Sequence, residues 1–165
     1  MKRKTDTEDA KQLLDVLLAH GECGTELPEV WVPPVVIRED REVVRHRLKL
    51  GQVAGQIKTR LKSLLKVHGV KCPLVIKTPW TRKYRAWVKG QASEEGGLAR
   101  SVWTVLASEW RMLEGVEREI EEVERELETL RGQEGYRKLA KAVTEIQGVG
   151  VLTAMTFLLE LGDVR

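Results

Sequence analysis

Hydrophobic positions recur at helical spacing through most of the chain. Ile37 to Val70 contains no proline, and Leu50, Ala54, Ile57, Leu61 and Leu64 alternate by four and three. That interval keeps one apolar seam facing a partner helix. The spacing predicts one long helix over 37–70, about 50 Å at 1.5 Å per residue. A second long helix is predicted over 98–131, where Leu113, Val116, Ile120, Val123, Leu127 and Leu130 repeat three-four-three-four-three. This is the cleanest heptad signal in the chain. Two such seams predict a long antiparallel coiled-coil pair, joined by the connector 71–97.

Shorter elements flank the pair. Residues 4–20 read as an amphipathic helix with Leu13, Leu14, Val16, Leu17 and Leu18 on its buried side, Thr5 and Glu8 as a capping box, and Gly21 at its end. Pro28, Pro33 and Pro34 exclude helix from the next segment, where Val30, Trp31 and Val32 suit a short strand. Pro33-Pro34 then launches the first long helix. Pro73, Pro79, Gly90, Gly96 and Gly97 make the connector 71–97 the least regular stretch. A helix over 136–146 is broken at Gly148-Val149-Gly150 and restarts near Val151, running to Leu161. The fold class expected is mainly α.

Composition narrows this picture. A chain of 165 residues, 42% hydrophobic and 32% charged, holds one ordinary domain or pieces of two joined by an elongated element. No apolar run approaches a membrane span, and the N-terminus MKRKTDTEDA is polar, so neither a membrane partner nor a signal peptide is expected. Cys23 and Cys72 form no CxxC pair and no disulfide framework, which points to a reducing cytosol.

Net charge is only +3, but it is unevenly spread. From Arg41 to Lys71 there are nine basic residues, Arg41, Arg45, Arg47, Lys49, Lys58, Arg60, Lys62, Lys66 and Lys71, against Glu42 alone. The second long helix is rich in glutamate, among them Glu114, Glu117 and Glu124. Two readings follow: the basic helix pairs with these glutamates, or it offers a positive flank to a nucleic acid. Because nine cations ring more of a helix than one partner covers, nucleic-acid contact by part of it is expected. In the connector, Lys77, Arg82, Lys83, Arg85 and Lys89 surround Trp80, Tyr84 and Trp87 with no acid before Glu94. Such interleaving stacks bases and holds phosphates; equally, the tryptophans cover the end of the helical pair. Gly148 and Gly150 suit a helix-hairpin-helix, in which the backbone approaches a phosphate at a helix N-terminus, or an ordinary tight helix-helix turn.

Candidate chemistry is sparse. Asp6 and Asp9, three apart, project from one side of a helix. Paired carboxylates are half of a two-metal phosphoryl-transfer site, and acids are also favoured in any first turn by the helix dipole. His20, Cys23, His68 and Cys72 are acceptable zinc ligand types without a usual spacing. There is no GxxxxGK[ST] loop and no Ser/His/Asp arrangement.

Several stretches, in this order, resemble the DEDD-type bacterial insertion-sequence transposases of the one-ten family. They are Lys4-Thr5-Asp6-Thr7-Glu8-Asp9-Ala10, Leu27 to Pro34, the helix with Thr59-Arg60-Leu61-Lys62 and Lys66-Val67-His68-Gly69, and Ile146 to Ala154 followed by Glu160-Leu161-Gly162-Asp163. The resemblance implies a remnant of a RuvC-like, RNase-H-fold domain over 1–36, a coiled-coil middle over 37–134, and over 135–165 the start of a transposase domain with a helix-hairpin-helix and, further on, a nucleophilic serine. Asp6 and Asp9 match the third and fourth metal-binding acids. The first Asp and the Glu fall before Met1 and the serine after Arg165, so the resemblance reads this chain as an internal stretch, truncated at both ends, without a complete active site. It implies Mg²⁺ in the intact parent and none held stably here. Its implied partners are DNA, a structured guide RNA and further copies of the chain through the coiled coil, in the bacterial cytoplasm. The expected nucleic-acid-binding set is Arg41, Arg45, Lys49, Lys58, Arg60, Lys62, Lys66, Arg82, Lys83, Arg85, Gly148 and Gly150. A stand-alone coiled-coil interaction protein and a helix-hairpin-helix DNA-binding module are the rival readings.

Overall fold

The computed structural model describes residues 6–27 and 32–161. It is mainly helical, with six α-helices and no strand among these residues. The chain separates into two units, Met1–Pro33 and Pro34–Arg165.

The first unit carries α1 (Asp6–Cys23). Its predicted apolar side is present in sequence but buries nothing: Leu13 is 66% and Leu17 57% exposed. A single helix cannot enclose its own apolar stripe. The helix also continues past Gly21, and Gly24 takes the left-handed conformation after it, with φ +65°. Thr5 of the expected capping box, and Val30 and Trp31 of the expected strand, lie outside the described residues.

The second unit is built on α2 (Val35–Val67) and α4 (Arg100–Gly132), each 33 residues long. Pro34 stands at the N-cap of α2, where its missing N–H costs nothing. At the other end the Val70 amide donates to Leu65 O (2.9 Å) and the Gly69 amide to Lys66 O (3.1 Å). This is the Schellman closure, and Gly69 supplies its left-handed residue with φ +70°. Residues paired across the two helices run in opposite order, Arg47 with Glu124, Lys58 with Glu117 and Arg60 with Glu109, so α2 and α4 lie antiparallel.

Two apolar clusters form along the pair. One joins Ala54, Ile57, Leu61 and Leu65 of α2 to Leu106, Trp110 and Leu113 of α4. The other joins Val44 to Leu127 and Leu130. These are largely the predicted seam positions, with Leu65 buried where Leu64 was expected and Leu64 only half-buried.

The connector 71–97 is more ordered than its prolines and glycines suggest. It contains α3 (Arg82–Gln91) and a short 3₁₀ turn, Glu94–Gly96. Thr81 caps α3, its hydroxyl accepting from the Tyr84 amide at 3.4 Å. Tyr84 and Val88, one turn apart, complete the first apolar cluster. At the other end α5 (Glu134–Thr144) and α6 (Val151–Leu161) form a hairpin, and Ala140, Met155 and Leu159 close the second cluster. The expected break falls at Gly148, whose φ of +88° an L side chain rarely adopts. The stretches read from sequence as a middle and a C-terminal segment thus pack together within one unit.

Candidate nucleic-acid interface

Glutamates divide the predicted basic surface in two. Arg47 is paired with Glu124 at 2.6 Å, Lys58 with Glu117 at 3.2 Å and Arg60 with Glu109 at 3.0 Å. Arg41 and Arg45 turn instead to the end of α6. Arg41 Nε donates to the Leu159 carbonyl at 2.6 Å, and Arg45 holds Glu160 through two bonds of 2.8 and 3.0 Å. Guanidinium groups there satisfy the last carbonyls of α6 and oppose the negative end of its dipole.

Arg85 forms a bidentate pair with Glu117 at 2.6 and 2.8 Å while its guanidinium lies 5.3 Å from the Trp110 ring centroid. The same pair holds the Glu117 carboxyl below the usual carboxylate range, and the Glu160 carboxyl is lowered chiefly by its hydrogen bond from Arg45. Five of the predicted cations, Arg41, Arg45, Lys58, Arg60 and Arg85, are therefore engaged within the chain.

The other five, Lys49, Lys62, Lys66, Arg82 and Lys83, are exposed and have no carboxylate partner among the described residues. Lys62 and Lys66 stand one turn apart and share a face near the end of α2. With Lys71, also exposed and unpaired, they edge a groove of about 540 Å³ whose wall includes Leu65, Val70, Tyr84 and Trp87. Trp80, Tyr84 and Trp87 form a ladder, successive ring centroids 5.3 Å apart. Trp80 and Trp87 are half-buried against the first apolar cluster, as the covering reading of the aromatics expects; Trp87 also faces the groove. Burial raises the Tyr84 hydroxyl above its ordinary range.

Lys71 and Trp87 stand outside the expected nucleic-acid-binding set, although the basic run and the aromatic interleaving both pointed to them. Their signal was present: Lys71 follows Lys62 and Lys66 just past the helix-ending Gly69, and Trp87 lies three after Tyr84 in a capped helix. What the sequence of 71–97 does not show is that the two residues line one groove.

Gly148 and Gly150 sit apart from this groove, in the α5–α6 turn. Gly150 opens onto a separate groove of about 720 Å³, lined by Glu121, Glu124 and Glu128 together with Arg47 and Arg125. Three carboxylates beside two guanidinium groups make this groove a poorer place for a phosphate than the lysine-edged one. Asp6 and Asp9 lie in the first turn of α1. Among the described residues there is no group of three or more His, Cys, Asp or Glu that could hold a metal ion; His20 and Cys23 belong to the first unit, His68 and Cys72 to the second. No helix of the described residues is long and apolar enough to cross a membrane.

Comparisons with known proteins add no assignment. No family model, no curated protein and no solved structure matches this chain. The reading of its function therefore rests on its residues and their arrangement.

Proposed function

We propose that this chain is the nucleic-acid-binding, helix-paired portion of a DNA transposase of the one-ten insertion-sequence type. Two lines of support meet. The four motif stretches keep the order of that family across nearly the whole chain. The carrying observation is structural: after the glutamates of α4 and α6 have taken their partners, Lys62, Lys66 and Lys71 remain exposed and unpaired around one aromatic-walled groove. Lysines held within reach of one another without counter-charge attract a polyanion and release its condensed cations on binding. The helix-hairpin-helix, the supercoiled character of the α2–α4 pair and the RNase-H-like remnant belong to the same proposal, as does Mg²⁺ in a complete active site.

Titration of labelled duplex DNA over a range of salt tests the reading. Affinity falls linearly on a log-log plot, and Lys62→Gln and Lys66→Gln each weaken binding and reduce the slope by about one. Arg60→Gln, whose partner is Glu109, leaves the slope unchanged. Absence of binding to duplex and single strand alike at low salt, or binding indifferent to salt, would assign the chain to the coiled-coil interaction proteins instead.

A further inference from the structure

We propose that the groove between the end of α2 and α3 takes an unpaired nucleotide of a single-stranded nucleic acid, its base against Trp87 and the flanking phosphates on Lys62, Lys66 and Lys71. The inference rests on the nucleic-acid reading above and narrows it to a strand type and a site.

The groove joins two chemistries seldom found on one plain surface. Its wall is apolar and partly aromatic, formed by Leu65, Val70, Tyr84 and Trp87, and its edge is cationic. At about 540 Å³ it falls in the range of clefts that take small ligands. A double helix keeps its base faces stacked inside and offers a protein only phosphates, sugars and groove edges. It could engage the lysines but would leave the aromatic wall unused. An unpaired nucleotide uses both, because every base has a π-face to lay on an aromatic ring while its backbone carries the charge.

Trp87 is prepared for this role. It is half-buried, tilted against Tyr84 with centroids 5.3 Å apart, and anchored to the apolar cluster. Its ring therefore loses little freedom when a base stacks on it. Lys83, exposed and unpaired, precedes it by one turn on the same face of α3. Ser63 along the groove adds a hydroxyl to donate to a phosphate oxygen without selecting a sequence, whereas the Thr59 hydroxyl donates to the Gly55 carbonyl at 3.0 Å.

Cys72 lines the same groove, whereas the other cysteine, Cys23, belongs to the first unit. The full chain thus carries a reporter and an internal reference. With single-stranded DNA or RNA of mixed sequence, alkylation of Cys72 by iodoacetamide slows while that of Cys23 does not, and a blunt duplex at equal occupancy protects Cys72 less. Trp87→Leu weakens single-strand binding by about 5- to 100-fold, the loss of one stacked base, and leaves duplex binding unchanged. Trp87→Phe, which keeps a ring, retains most of the single-strand affinity, and circular dichroism establishes that each variant is folded.

Should Trp87→Leu not fold, Cys72 protection in the unmodified chain and the phenylalanine variant decide. Unprotected Cys72 at saturating single strand, or equal losses on single strand and duplex, would overturn the site while leaving salt-dependent nucleic-acid binding intact. Failure of both strand types to bind at low salt would overturn the broader reading as well.

Discussion

Single residues tie the short helices to the long pair. The Tyr136 hydroxyl of α5 donates to Asp40 Oδ2 of α2 at 2.6 Å, and burial together with this bond raises the Tyr136 pKa above its ordinary range. Removing the hydroxyl leaves a half-buried carboxylate without its donor. Tyr136→Phe should lower stability by about 1.5–3 kcal/mol in urea unfolding, the usual range for a bond to a charged group; a loss below about 0.5 kcal/mol would show the bond to be dispensable.

Glu117 joins Arg85 and Lys58 at one point of α4. Its folded pKa is depressed, first by the Arg85 hydrogen bond. A depressed carboxylate contributes stability that is fully present above its unfolded pKa and is lost as pH falls through the folded value. The stability gap between the native chain and Glu117→Gln should therefore be widest near pH 7 and close as pH drops from about 4.5, the ordinary glutamate value. A gap constant down to pH 3 by thermal unfolding would remove the pair from the acid transition.

At the scale of elements, the same apolar pattern has opposite outcomes in α1 and α4. Leu113 is wholly buried between α2 and α4. Leu113→Ala should cost about 2–5 kcal/mol, combining lost transfer energy with the cavity left behind. Leu13 on α1 is two-thirds exposed, so Leu13→Ala should move stability by less than about 0.5 kcal/mol. The α2 and α4 seams are filled within the chain, so any self-association of the kind the family resemblance implies would have to use surfaces outside them. We therefore expect Leu13→Ser with Leu17→Ser to lower the mass seen by light scattering without loss of helix; an unchanged mass would remove α1 from any such assembly.

α3 shows why composition misjudged the connector. Gly90 lies inside it and Pro79 just before it, but the Thr81 cap and the docking of Tyr84 and Val88 on the α2–α4 pair outweigh a glycine penalty of about 1 kcal/mol.

For the molecule as a whole, the functional question is which charges remain after folding. Asp6 and Asp9 belong to no metal-binding group among the described residues. With supercoiled plasmid and Mg²⁺ we expect the isolated chain to leave the DNA unnicked; nicking that disappears in Asp6→Asn would show that these two acids complete a site after all.

Much of the architecture was legible in the chain. The long helices, the glycine hairpin at 148–150 and the complementary charge of α2 and α4 follow from periodicity, proline and glycine placement and local composition. These are properties of neighbours a few residues apart, and a helix expresses them wherever it forms. The partners of individual charges were not legible. Arg60 meets Glu109, and Arg45 meets Glu160, only because antiparallel register and the packing of α6 bring together positions 49 and 115 residues apart. Tertiary structure alone thus decided that Lys62, Lys66 and Lys71 stay free beside Trp87 while equally basic neighbours are neutralised, and that the leucines of α1, patterned like a core, find no cover within the first unit. The physical reason is common to both: a side chain's period sets the face it occupies, but only the fold determines what stands opposite that face.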